Sequence, residues 1–182
     1  FVQRHFKALN PYRPPEFVRD WNITQLSGIA DENLLLTNLN INGKNGFGAS
    51  YSFNRFEKGS LYVGNKHEGD VHFENKRWNL KAFANILTSA SPALDQSSRF
   101  VRPNVTIQYK IGKSHKWATG FVLDAENNQL RSISKDTLSK ASYAFQNLKW
   151  FVTNDFADDA AVRISYSIRD DYFSKSNQLT KA

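Results

Sequence analysis

Residues 100–124, FVRPNVTIQYKIGKSHKWATGFVLD, constrain the fold of this chain more than any other stretch. Val101, Pro103, Val105, Ile107, Tyr109 and Ile111 occupy every second position, and Arg102, Asn104, Thr106, Gln108 and Lys110 fill the gaps. Successive side chains of a strand point to opposite faces, so one face of this segment is apolar and the other polar. After a short connection at 112–115 the alternation resumes, with Trp117, Thr119, Phe121 and Leu123 against Lys116, Ala118, Gly120 and Val122. The pattern predicts a β-hairpin with arms of about ten residues, longer than the usual strand and long enough to cross a bilayer at a tilt. A water-soluble hairpin carries the same alternation, so arm length and the aromatic ends must make the distinction.

The same period recurs along the chain. Leu35, Thr37, Leu39 and Ile41 lead into Asn42-Gly43-Lys44-Asn45-Gly46, residues that tolerate positive φ, and Phe47, Ala49, Tyr51 and Phe53 return from it. Leu61, Val63, Val71 and Phe73 punctuate a charged stretch whose residues 64–70 read as a turn. Trp78, Leu80, Ala82, Ala84 and Ile86 continue the period of two, although Leu80, Phe83, Ala84 and Leu87 also fit one face of a helix. Residues 87–98 read as a polar connection and 125–129 as a turn or loop. Residues 134–148 are ambiguous between helix and strand, with strand favoured from Ser142 onward because the last unit needs a partner. That unit sets Leu148, Trp150 and Val152 against Val162, Ile164, Tyr166 and Ile168 across an acidic turn at 154–159.

The expected fold is all-β: an antiparallel meander of about eight long strands, forming a β-barrel or part of one, with a soluble β-sandwich as the alternative. One domain covers 1–182. Its parts are an extended lead-in over 1–33, where the prolines of NPYRPPEF forbid a helix, the meander over 34–173, and a polar tail over 174–182.

Composition narrows the class. Apolar residues make up 40% and charged ones 23%, and no run reaches the eighteen or so apolar residues of a transmembrane helix. A transmembrane barrel stays open, because its strands carry polar residues at alternate positions. Cysteine is absent, which removes disulfides and thiolate chemistry. Methionine is absent even from position 1, so the chain reads as processed or as an excerpt of a longer one. The net charge of +7 invites nucleic acid, yet the Lys and Arg residues are scattered singly, with no recognition helix, zinc-finger spacing or RNA-binding aromatic motif. No nucleic-acid partner is expected. A basic lumen, or a surface facing anionic sugars or lipids, accounts for the charge equally well.

The candidate functional residues follow from the two faces. Arg102, Gln108, Lys110, Lys116, Arg163 and Arg169 are expected to line a basic lumen, while Phe47, Tyr51, Phe53, Val105, Ile107, Tyr109, Phe121, Val162, Ile164 and Tyr166 face lipid. Trp21, Trp78, Trp117, Trp150, Tyr172 and Phe173 recur at or near strand ends and would form interfacial aromatics. In a soluble sandwich the same rings would be core, or platforms for sugars. Asp70, His72 and Glu74 would share one strand face, which permits a weak divalent site, although a solvated polar face is the plainer reading. HEGDVH lacks zinc-protease spacing, and the acidic turn with Asn154, Asp155, Asp158 and Asp159 lacks the pattern of a calcium loop. There is no nucleophile elbow or phosphate-cradling glycine loop. Catalysis and cofactors are therefore not expected, though a hydrolase with a carboxylate pair from distant strands stays as a third possibility.

In texture the chain resembles a stretch of a large outer-membrane β-barrel from Bacteroidota. NVTIQYKI and AVRISYSIRDDYF carry the long alternation, tight Asn, Gly and Asp turns connect it, and RDWN and FENKRWNL supply the aromatic punctuation. The resemblance covers about 34–173 and implies a role in transport, secretion or surface assembly. It also implies the outer membrane as location, with a periplasmic or secreted protein as the alternative. The expected partners are the lipid bilayer and other outer-membrane subunits or the rest of a longer chain. It assigns no residue a role.

Overall fold

The computed structural model describes residues 2–9, 29–112, 116–157, 160–173 and 179–181. They form ten strands: β1 (Val2–Leu9), β2 (Ile29–Asn42), β3 (Phe47–Lys58), β4 (Tyr62–Glu74), β5 (Trp78–Ser91), β6 (Gln96–Ile111), β7 (Trp117–Ser132), β8 (Tyr143–Ala157), β9 (Ala160–Phe173) and β10 (Leu179–Lys181). The strands pair in chain order as one antiparallel sheet whose edges, β1 and β10, are not joined. The eight long strands β2–β9 are the expected meander. Among the described residues there is one sheet and no second layer, so the packing of a sandwich is not formed.

The strands are longer than the alternation alone predicts, and β6 and β7 reach 16 residues each. Four segments read as connections are strand. Residues 64–70 lie inside β4, 125–129 lie inside β7, and the 87–98 connection shrinks to a single 3-10 turn at Pro92–Leu94 before Asp95. The acidic segment at 154–157 still belongs to β8. The lead-in contains β1, which pairs with 29–36 of β2, and the tail contains β10. In 64–70 and 126–129 both faces are polar, so the period of two that marks a half-buried strand is missing even though the ladder continues. The helical alternative at 80–87 is strand, and of the ambiguous 134–148 the part from Tyr143 is strand while 134–142 is turn with one isolated bridge at Leu138.

Cross-strand partners share a face, so the register sorts every side chain. One row runs Phe47, Phe73, Leu80, Ile107, Phe121, Trp150 and Tyr166. The next row runs Ala49, Val71, Ala82, Val105, Leu123, Leu148 and Ile168. This face is apolar, and most of the exposed large hydrophobic residues lie on it. The opposite face is polar yet holds the buried residues: Phe56, Tyr62 and Leu87 cluster there with Leu34 and Phe100 packed against them, and Phe151 is buried further round. A single-layer sheet that buries side chains on one face only is curled towards that face. The polar face is the inner one, the reverse of a water-soluble core.

Large rings on the inner face lie across glycines of the neighbouring strand. Phe56 faces Gly64 and Phe151 faces Gly120. A Cβ on Gly120 would stand 2.7 Å from the Phe151 ring and 2.4 Å from the Ile107 carbonyl oxygen. The ring can turn aside but the backbone carbonyl cannot. Gly120→Val is therefore expected to lower stability by about 1–3 kcal/mol, the usual range for overpacking. Denaturant melts in the medium in which the wild-type protein folds measure this, and an unchanged midpoint would refute the contact.

Candidate functional site

The outer apolar face forms a bounded band. Its far edge is a continuous polar row, Arg55, Asn65, Thr88, Arg99 and Gln129, on five successive strands. On β8 and β9 the polar residues begin two rows earlier, at Gln146 and Asp170. At the near end the band starts with Phe47 on β3 but reaches two rows further, to Trp117 on β7 and Val162 on β9. Both boundaries thus slide the same way across the sheet. The row through Phe47, the first residue of β3, meets β9 at Tyr166, its seventh, six strands on. The band boundaries themselves slide four residues over those six strands, which at the standard rise and strand spacing is a tilt of about 25°. Along β6 the apolar positions run from Val101 to Ile111 and along β7 from Trp117 to Ala125, about 24–30 Å at that tilt, while along β3 from Phe47 to Phe53 and along β9 from Val162 to Ile168 they span about 18 Å. The lipid-facing band of an outer-membrane barrel is about 25 Å tall.

Four polar groups inside this band have partners close at hand. The Thr37 hydroxyl donates to the Phe53 carbonyl at 2.7 Å, and the Thr119 hydroxyl to the Phe151 carbonyl at 3.0 Å. The Trp150 indole donates to the Thr119 oxygen at 3.0 Å, and the Tyr51 hydroxyl lies 2.8 Å from His67 Nδ1. Hydrocarbon offers no hydrogen bonds, so such groups must be satisfied within the protein.

The aromatic residues divide. Trp78 packs on Tyr109 at 4.8 Å between ring centres, and both lie with Trp117, Phe47 and Phe73 towards the short-turn end of the band. Trp150 is not at a strand end: it sits in the middle of the band between Phe121 and Tyr166. Tyr172 lies past the far boundary, where its hydroxyl accepts from Gln146 Nε2 at 3.0 Å. Phe173 ends β9 opposite Tyr143, and Trp21 lies outside the described residues.

The inner face gathers Arg102, Gln108, Lys110, Arg163 and Arg169 by register, whereas Lys116 lies in the connection before β7 and accepts the Asp155 N–H on its carbonyl. This face is not a plain basic surface. Arg102 stands between Asp124 at 3.8 Å and Glu126 at 3.7 Å. Lys110 pairs with Glu74 at 3.8 Å, Arg169 with Asp171 at 2.9 Å, and Lys66 with Glu68 at 3.1 Å. Lys58 and Glu32 form a buried pair at 3.6 Å. Arg163 and Arg169 each lay a guanidinium 4.2 Å over a ring, Phe151 and Phe145 respectively. Of the metal candidates, Asp70 and His72 are neighbours at 3.5 Å, with Ser50 donating to Asp70, while Glu74 is engaged by Lys110. Among the described residues no three His, Asp or Glu side chains come together as a metal site.

Sequence reasoning missed one element at the end of the sheet. Asp95, in left-handed backbone at φ 50°, ties the β5–β6 turn to the segment after β7. Its carboxylate accepts from the Ser132 hydroxyl at 2.6 Å, the Ser134 N–H at 2.7 Å and the Ser134 hydroxyl at 2.8 Å. The Ser132 bond, then those from Ser134, hold the carboxyl below its ordinary value of 3.8. A lowered folded value means the tie is present at neutral pH and lost as pH falls through that value, so it should persist at pH 3.8 and open only below. Asp95→Ala is expected to abolish protection of the Ser134 amide at pH 6–7, read by hydrogen exchange, with the sheet otherwise unchanged. Equal protection in both proteins would show that the tie is not formed in solution.

Comparison with known protein families, curated proteins and solved structures finds no match.

Proposed function

We propose that this chain is a membrane-embedded antiparallel β-barrel, or a sector of one, in a bacterial outer membrane of the Bacteroidota type, with a non-catalytic role in transport, secretion or surface assembly. The observation that carries the reading is the oblique outer band. An apolar band that crosses the strands obliquely is what a flat hydrocarbon layer selects for on tilted strands. Water selects against it, because it leaves an apolar area far beyond an ordinary surface patch exposed. The paired inner face supports the same reading, since water-filled interiors carry such polar networks. Lipid is then the primary partner, and neighbouring strands or subunits meet the open edges of the sheet.

Two neighbours on β9 test this. Ile164, 67% exposed on the outer face, and Ser165, exposed on the inner one, stand on the same stretch of strand. In a water-soluble protein arginine at either position is an ordinary surface change, worth within about 0.5 kcal/mol. In a bilayer Ile164→Arg is expected to weaken folding by about 2–4 kcal/mol while Ser165→Arg is tolerated. Refolding into lipid vesicles across a urea series, followed by circular dichroism, separates the two. Equal behaviour of the two variants, or cooperative folding of the wild-type chain as a soluble monomer without lipid or detergent, would defeat the membrane reading.

A further inference from the structure

Phe83 stands on the inner face, against the chemistry of its neighbours, between Lys81 and Asn85 on β5 and opposite Asp70 and Asn104. It remains 38% exposed. Most other inner-face rings have cover: Phe56 packs on Tyr62, Phe100 on the buried cluster, and Phe151 and Phe145 lie under arginines, while Tyr143, also open, has its hydroxyl tied to Glu126. An open ring on a wetted face costs hydration free energy unless something stacks on it.

The register shows what lies beside it. Phe83, Asn104 and Asp124 form one row and Asn85 and Arg102 the next, with Glu126 alongside. These residues line a single cleft of about 640 Å³ that ends at Tyr143, a size within the range of small-ligand sites. Its polar groups are amides and carboxylates, the donors and acceptors that match hydroxyls. The two carboxylates outnumber Arg102, so a polyanion is disfavoured. Both carboxylates are also engaged already: Asp124 accepts from Asn104 Nδ2 at 3.3 Å, Glu126 accepts the Tyr143 hydroxyl, and Arg102 stands between them. A cationic ligand would have to displace Arg102. A purely apolar one would strip water from these groups and return no hydrogen bonds.

We propose that this cleft binds a neutral carbohydrate, one sugar ring stacking on Phe83 while Asn104, Asp124 and Asn85 bond its hydroxyls. The inference rests on the inner-face geometry and holds whether or not the outer face meets lipid. The test is calorimetric titration of the folded chain, in detergent or in buffer, with maltohexaose, cellohexaose and mannohexaose as neutral probes. A galacturonic acid hexamer and a glucosamine hexamer serve as the charged ones. Saturable binding of at least one neutral hexamer is expected, weakened about tenfold or more in Phe83→Ala and kept in Phe83→Trp, since the stacking surface is then restored. Absence of binding by all neutral hexamers, a preference for either charged one, or an undiminished affinity in Phe83→Ala overturns the proposal. Circular dichroism in lipid is read separately. A chain that folds in lipid and binds no sugar loses this inference and keeps the membrane reading, and one that folds only in water and binds sugar does the reverse.

Discussion

Everything in this sheet depends on register. A slip of one residue between neighbouring strands would exchange their faces and put Arg102 or Lys149 where Val101 or Leu148 now stands. The apolar rows fix the register along the middle of each strand, and the rings laid across glycines fix it at single points. Phe151 can lie over β7 only because position 120 has no side chain, and only while Gly120 is its partner. Curling, the buried Phe56–Tyr62–Leu87 cluster and the sliding of the outer band all follow once the pairing is set.

The sequence shows the middle of most strands clearly and their outer ends poorly, for one physical reason. Alternation is visible where the two faces meet different surroundings. From Val101 to Ile111 the outer positions are apolar and the inner ones polar, and the strand is evident. Around the polar row on β6 and β7, marked by Arg99 and Gln129, both faces are largely polar, so Asn127-Asn128-Gln129 and 96–98 look like loops although the ladder runs on through them. The same blindness hid 64–70 of β4. The faces of the charged residues were legible in the alternation, but their partners were not. Arg102 meets Asp124 and Glu126 across 22 and 24 positions of sequence, a relation only the β6–β7 register supplies.

Those pairings change what the net charge of +7 means. Evenly spread along an inner wall, it would make a strong anion-attracting field. Instead Arg102, Lys110, Arg169, Lys66 and Lys58 each lie within 4 Å of a carboxylate on the same face, which leaves a wall of dipoles and short ion pairs with a weak net field. Part of the excess positive charge sits elsewhere, for example at Arg99 in the polar row beyond the outer band, where Arg55 is paired with Glu57. Cations at that level would stand beside the headgroups of a bilayer, where anionic lipid is the natural counter-charge.

The open edges set the last condition. Hydrocarbon cannot satisfy unpaired backbone N–H and C=O groups, so a sheet in a bilayer must close. Among the described residues β10 covers only Asp170, Asp171 and Tyr172 of β9, and the rest of that strand, with Ile164 and Tyr166 at its most exposed positions, has β8 as its one neighbour. An even number of strands makes β1 and β10 antiparallel to one another, so direct closure and the addition of further paired strands are both allowed by direction. The two differ in what they do to the inner face. Closure over ten strands would bring β9 round towards β2 and crowd the cleft beside Phe83, whereas added strands would widen the interior and leave that cleft facing a channel. A ligand site on the inner wall is therefore best served by a sheet that others complete.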